Sequence, residues 1–368
     1  MLASLRKRLL TCPVANSRTG AAQSAWPGYD GPVATYSKSP LDVARVALRL
    51  GEASFPGNWH PCSPRLYTRP QLFACLVLKC RLRLDYRGVA RLLGEWRELR
   101  EAVGLRFCPH FTTLQKNARR LMALPHVAGL LTAGVRLLRG RRRSLALAAI
   151  DSTGLSASRA SAYFVRRRSR HTKLLEDLTY TRFGKLSVVC DCQSHLVVAA
   201  LAGRGPSPDV NQLAPLVDDA LSRVRPARLL ADAGYDSEAN HAHCRQRWKL
   251  AALIPPRHGR PPKDPNARPR GRWRAAMKGL LATRAGRRQS GYTQRWQVEA
   301  VFAMIKRHLG DRLHARSPAA QDAEMLLMAV THNAAILLRL RHLLYRALLT
   351  GSVSTLGIGR SAMIGGGL

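Results

Sequence analysis

From residue 41 onward, short apolar runs are separated by basic and polar residues at helical spacing. Residues 41–52 (LDVARVALRLGE) return their apolar side chains to one face at about 100° per residue, which predicts an amphipathic helix. Thr68 and Pro70 then open a longer one through QLFACLVLKCRLRL, since a hydroxyl cap and a first-turn proline both favour a helix start. Two further helical stretches follow, 86–105 (YRGVARLLGEWRELREAVGL) and 111–125 (FTTLQKNARRLMALP). Gly104 stops the former, and Thr112 or Thr113 is placed to cap the latter.

Past the basic run 139–143 (RGRRR) the period changes. SLALAAI reads as a strand ending in Asp151, and GKLSVVCD with HLVVAALAG reads as an antiparallel pair across Cys192, Gln193 and Ser194. NQLAPLVDDALSRV is helical. ARLLADAGYDS is a strand ending in Asp232, where Gly234 permits a sharp bend, and LAALI is a short last strand after the helical SEANHAHCRQRW. Residues 255–290 carry too many prolines and arginines for a core element and are expected as a basic surface loop or insertion. A helix over 292–309 and one or two apolar helices over 317–345 close the pattern.

Strands followed by alternating helices describe a mixed α/β sheet flanked by helices. The expected division is an arm (1–40), an all-helical region (41–140), an α/β domain (141–345) and a tail (346–368), the arm and tail without order. At 368 residues two domains are the default.

Composition adds a partner. Lysine and arginine number 60 against 22 acidic residues, a net charge of +38, and such a surface suits a polyanion because phosphate neutralisation releases counterions. Arginine-rich short helices over 41–140 suit a DNA-binding unit, and also a plain helical bundle. No run approaches the roughly 20 apolar residues of a membrane span, and the apolar stretch after the basic opening is too short and interrupted for a signal peptide. A cytoplasmic protein without membrane contact is expected. Eight cysteines form no CxxC pair, so reduced, buried thiols are expected, with Cys190 and Cys192 on one strand face.

Candidate chemistry lies in residues 292–309, YTQRWQVEAVFAMIKRHL. Helical spacing puts Tyr292, Arg295, Glu299, Phe302 and Lys306 in one arc of roughly 80°, beside an apolar stripe of Val298, Val301, Ile305 and Leu309. Arg295 and Glu299 alone are also an ordinary i,i+4 surface pair. Asp151 and Asp232 each follow an apolar run. If these three acids converge, they form a set of hard oxygen donors that selects Mg²⁺ or Mn²⁺ over zinc, and two such ions suit in-line phosphoryl transfer. Singly, an aspartate after a strand is more often a turn residue or helix cap, the reading given to Asp191, Asp209 and Asp236. His308, His332, His241 and His243 read as surface or packing residues.

Tyr292, Arg295, Glu299 and Lys306 fit Tyr-x2-Arg-x3-Glu-x6-Lys at every position, and the chain thereby resembles bacterial insertion-sequence transposases of the DDE type. AIDST around Asp151 and LADAGYD around Asp232 resemble that family's first and second acid segments. The resemblance implies a ribonuclease H-like catalytic domain behind an N-terminal helical DNA-binding region. It implies two Mg²⁺ or Mn²⁺ ions on Asp151, Asp232 and Glu299, hydrolysis at the ends of an element bounded by inverted repeats, and attack of the freed 3′-hydroxyl on target DNA. Arg295 and Lys306 would grip phosphates, and Tyr292 would stack on or hydrogen-bond a strand end. Arg141, Arg142 and Arg143, like Arg166 to Arg168, would contact backbone phosphate without reading sequence. Double-stranded DNA is the implied partner, a homodimer the implied assembly, and the bacterial nucleoid the place of action. A nuclease of the same fold without strand transfer, and a catalytically inactive regulatory DNA-binding protein, remain alternative readings.

Overall fold

A computed structural model describes residues 39–55, 66–157, 183–257 and 271–349, the last with side chains to residue 340. The expected tail beyond 349, nearly all of the arm, and Arg166 to Arg168 lie outside the described residues.

The helical region begins with α1 (Pro40–Glu52), capped by Ser39, and α2 (Arg69–Arg81), closed by a reciprocal capping box between Thr68 and Gln71. Residues 86–105 form two helices: α3 (Tyr86–Glu95) and α4 (Arg97–Ala102) meet at Trp96, whose backbone is extended. The next helix, α5 (Phe111–Leu121), starts at His110, and Thr112 accepts or donates to that ring at 2.8 Å instead of capping. Pro125, read at the end of that stretch, sits in the first turn of a separate helix, α6 (Leu124–Arg139).

The sheet runs β3-β2-β1-β4-β5. It comprises β1 (Ser144–Ala157), β2 (Gly184–Asp191), β3 (Val197–Arg204), β4 (Arg225–Leu230) and β5 (Ala251–Leu253). β2 is antiparallel to β1 and β3, whereas β1, β4 and β5 run parallel. A two-residue strand, β6 (Arg312–Leu313), pairs with the far end of β1. β1 does not end at Asp151 as the sequence suggested; β2 pairs with it on one edge as far as Leu155 and carries it onward.

One sheet face packs on α7 (Leu213–Arg223), through Ile150, Val189, Leu216 and Val217. The other packs on α11 (Trp296–Leu309) and α12 (Pro318–Leu349), through Ala149, Val188, Leu230, Val298 and Ile305. That second core continues without interruption into Leu50, Phe73, Leu76 and Leu130 of the helical region, because α12 touches α1, α2 and α6 as well as β2 and β3. The two expected units therefore share one interior. α12 is long and apolar enough to pass as a membrane span over Pro318–Leu340, contrary to the sequence reading that no run comes close, but 78% of its most apolar window is buried inside the protein.

The basic stretch 255–290 is a loop only in part. Residues 258–270 lie outside the described set, and the remainder folds into α9 (Arg272–Leu281) and α10 (Arg284–Gln289). Met277, Leu280 and Leu281 supply the buried face that a loop reading overlooks. Glu238, in the short α8 (Glu238–Ala242), accepts the Trp273 and Arg274 N–H groups at 3.1 and 3.2 Å and so caps α9. Asp236 is fully buried and accepts from the Arg257 backbone and the Arg274 guanidinium, both at 2.8 Å. The residue read as a turn aspartate thus anchors both flanks of the insertion. The described cysteines are all free thiols, with Cys190 and Cys192 buried.

Candidate active site

Asp151 and Asp232 come together through register. Ala149 pairs with Leu230 in the last rung between β1 and β4, and each aspartate lies two residues further on. Adjacent strands stand about 4.8 Å apart, so two side chains at equal height on one face are neighbours. β4 stops there because Asp232 accepts the Gly234 N–H and turns the chain through Ala233–Tyr235. A Cβ at Gly234 would lie 2.8 Å from the Asp232 carboxylate, which explains glycine at this turn.

Asp151 is mostly buried, and its Oδ1 accepts the Ser152 N–H at 2.8 Å. Burial, reinforced by the Asp232 charge, pushes its pKa up to about 6 despite that hydrogen bond and the opposing Arg295 charge. Arg295 supplies the link to the third acid. One terminal nitrogen lies 3.6 Å from Asp151 Oδ2 and the other contacts Glu299 Oε1. Since a guanidinium is a compact planar fork, the two carboxylates stand within roughly 10 Å of each other.

The helix that carries the motif starts later than its periodicity suggests. α11 begins at Trp296, and Tyr292–Arg295 form a tighter turn after Gly291, which adopts φ +73°. The tighter turn lets Tyr292 reach back and donate to the Ala231 carbonyl at 3.1 Å, one residue before Asp232. Burial pushes the Tyr292 phenol up to about 12, so it stays protonated and able to donate at neutral pH. Lys306 lies seven residues beyond Glu299, about 10 Å along the helix, and forms no ion pair among the described residues. It is not brought into the acid cluster. Arg141, Arg142 and Arg143 stand at the opposite end of β1, roughly 25 Å from Asp151 at strand rise. Arg143 donates to the Leu221 and Arg223 carbonyls at 3.1 Å, closing the C-terminus of α7.

Sequence reasoning missed a fourth carboxylate. Asp209 accepts from the Ser152 hydroxyl, next to Asp151, and pairs with the buried ammonium of Lys185 at 2.7 Å. Its other oxygen lies 3.5 Å from the Cβ position of Gly234. The available signal was Lys185, a lone cation in the otherwise apolar core of β2. Trp296 was also missed: it is 53% exposed and one helical turn from Glu299. Two of the histidines are packed in the interior, and His243 pairs with Asp218 at 2.7 Å. His241 is fully buried beside Asp236, and burial lowers its pKa to about 4; buried His332 is likewise lowered to about 4 and bonds the His195 carbonyl at 2.9 Å.

Among the described residues no three His, Cys, Asp or Glu side chains stand close enough to form a ready metal centre. The Arg295 cation stands between Asp151 and Glu299. The donor set still fits a hard divalent cation: the donors are carboxylate oxygens, and Asp151 is an acid whose ionisation is held back by burial and by a second carboxylate.

A mixed sheet with Asp151 inside β1, Asp232 just past the end of its parallel neighbour β4, and Glu299 on the helix facing them defines an α/β protein with carboxylates grouped beside the end of β4. Residues 143–334 match the family model of the transposase DDE domain, just over half of the chain, and the chain belongs to that family. The match takes in Asp151, Asp232 and Glu299 and begins after the helical region. Its members are transposases, DNA-recombining proteins that generally use divalent metal ions. No curated protein matches the chain.

Proposed function

We propose that this protein is a transposase that cuts DNA at the ends of an insertion sequence and joins the 3′ ends to target DNA, with Asp151, Asp232 and Glu299 as its catalytic acids. The observation that carries the reading is the Arg295 guanidinium joining the β1 aspartate to the α11 glutamate, with Asp232 at the same height on the neighbouring strand. Asp151 and Glu299 share Arg295, and the Asp232 charge acts on Asp151, although the three come from distant parts of a chain with few acids to place. The mixed sheet, with its two acid-bearing strands parallel at the centre, supports a ribonuclease H-like fold.

Asp151, Asp232 and Glu299 would hold two Mg²⁺ or Mn²⁺ ions, which activate the attacking oxygen and stabilise the leaving one when bound. The chain's own groups prepare that site. Arg295 balances two carboxylates that would otherwise repel, and its fork also matches a phosphodiester. Tyr292 acts as a positioning residue, holding the Ala231 carbonyl and with it the turn that presents Asp232. Lys306, further along α11, would meet duplex phosphate outside the acid cluster. Joining two element ends calls for two copies of the chain, and DNA in the bacterial cytoplasm is the substrate.

The test is Mg²⁺-dependent cleavage of a duplex carrying the inverted repeats that flank the gene. Asp151→Asn, Asp232→Asn and Glu299→Gln should each lower cleavage on the order of 10³-fold, the scale of losing one electrostatic stabiliser, while duplex affinity stays near wild type. Normal cleavage by any of the three removes that residue from the site. Pre-nicked ends that are never joined to target DNA leave a nuclease in place of a transposase.

A further inference from the structure

We infer that Asp209, clamped by buried Lys185, is a positioning residue that sets Asp151 and Asp232 for a divalent cation, an inference that rests on the catalytic reading of those two acids above.

Asp209 works from the opposite face of the sheet. Strand alternation sends Ala149 and Asp151 toward α11, and Ile150 and Ser152 toward α7. β2 pairs Ser187 with Ser152 and Lys185 with Gly154, so those two side chains also project toward α7. That face is apolar at Ile150 and Val189, yet Ser187 and Lys185 further along are buried polar groups, the lysine only 6% exposed. An ammonium in such a place needs partners. Lys185 donates to the Ser207 carbonyl and pairs with Asp209 Oδ1 at 2.7 Å.

Ser152 is the link between the faces. Its hydroxyl donates to Asp209 Oδ1, and its N–H donates to Asp151 Oδ1 at 2.8 Å. The coupling reaches Asp232 by two routes. Asp209 Oδ2 lies 3.5 Å from the Cβ position of Gly234, the residue whose N–H holds the Asp232 carboxylate. Buried Asn240 donates to the Val210 carbonyl at 2.8 Å and to the Tyr235 carbonyl at 2.9 Å, which ties the turn Asp209–Gln212 to the turn Ala233–Tyr235. Ser187 donates to Gln212 Oε1 and so fastens the first of those turns to β2.

Tyr235 adds an independent sign. Its side chain is wholly buried in the turn after Asp232, and its phenol forms no hydrogen bond of good geometry among the described residues, although Asp209, Asp151 and the Ser152 hydroxyl all act on it. A phenol from the second aspartate's turn is thus aimed into the polar nest behind the first. A largely buried ion pair seldom stabilises a core more than apolar side chains of the same volume, so stability alone gives no reason for Lys185 and Asp209. Orienting the ligands of a metal ion does give one.

The experiment is calorimetric titration of Mg²⁺ into the metal-free full chain, without DNA. Ser152→Ala cuts the link and leaves the Lys185–Asp209 pair intact. It should weaken Mg²⁺ binding about 10- to 100-fold, the scale for losing an outer partner of a metal ligand. Ser152→Thr keeps a hydroxyl there and should bind near wild type. Lys185→Met with Asp209→Leu, which leaves no unpaired charge, should lose as much as Ser152→Ala; if that double variant folds poorly, Ser152→Ala decides. The Mg²⁺ concentration giving half-maximal cleavage should rise by the same factor while the KM for duplex stays near wild type, and this is the readout should the free chain bind too weakly to titrate. A merely structural pair would lower the melting temperature and leave Mg²⁺ affinity unmoved.

Wild-type Mg²⁺ affinity in Ser152→Ala overturns the inference. So does a loss in Asp209→Asn as complete as in Asp151→Asn, which would make Asp209 a ligand itself. The two readings fail separately. If Ser152→Ala weakens Mg²⁺ binding but wild type never cuts DNA, the positioning role stands and the transposase chemistry falls. If wild type cuts, Asp151→Asn does not, and Ser152→Ala handles Mg²⁺ as wild type does, the positioning role falls alone. A wild type that neither binds Mg²⁺ nor cuts DNA overturns both.

Discussion

Asp151 holds its proton more tightly in the fold than in the unfolded chain, because burial and Asp232 raise its pKa from 3.8 to about 6. Its ionisation therefore costs stability above about pH 6 and costs nothing below about pH 4. The shift corresponds to on the order of 2–3 kcal/mol at pH 8. Metal-free Asp151→Asn should accordingly melt higher than wild type at pH 8 and alike at pH 4, read by thermal unfolding across pH. Mg²⁺ should raise the melting temperature of wild type at pH 8 and leave that of Asp151→Asn nearly unmoved. A stabilisation independent of pH would contradict this account of the carboxylate. Residue types and spacing made Asp151, Asp232, Glu299, Arg295 and Tyr292 legible beforehand. Asp209 was not, because an aspartate after a proline in a turn looks the same whether or not a buried lysine and a neighbouring strand's serine meet it.

Among the elements, α12 shows how a helix fixes a strand edge. Asn333 accepts the Val197 N–H at 2.8 Å and donates to the Val197 carbonyl at 2.7 Å, imitating the ladder partner that β3 lacks on that residue. Asn333→Ala would leave two buried backbone groups without partners and should destabilise the protein by about 2–4 kcal/mol in denaturant unfolding. A loss below about 0.5 kcal/mol would mean that water or a neighbour replaces the amide. Apolar periodicity located most helices and strands, yet misjudged where they end. β1 runs past Asp151 because β2 supplies its partners, and α11 starts only at Trp296 because the tight turn before it carries Tyr292 back to the sheet. Both boundaries depend on contacts from remote sequence, which a local period cannot contain. The same holds for α9, whose buried Met277, Leu280 and Leu281 lie between arginine-rich flanks that read as a loop.

For the whole molecule, the shared interior predicts cooperative behaviour. Leu76 and Leu130 of the helical region and Val188 and Ile305 of the sheet layer belong to one continuous core, joined across α12. The full chain should unfold in a single calorimetric transition, and residues 39–140 expressed alone should show no cooperative melt, since their apolar face would be stripped of α12. Two well-separated transitions would instead support a division into two domains. The sequence by itself determined which residues could do the chemistry, because carboxylate, guanidinium and phenol are properties of single side chains at readable spacings. It also determined the sign of the partner, through a charge of +38. Only the tertiary structure decided that Arg295 stands between two of the acids, that Asp209 lies against Ser152 beside Asp151, and that Arg143 serves α7. Each of these is a distance between segments far apart in the chain, set by strand register and the packing of α12, and no window of sequence holds both ends of such a distance.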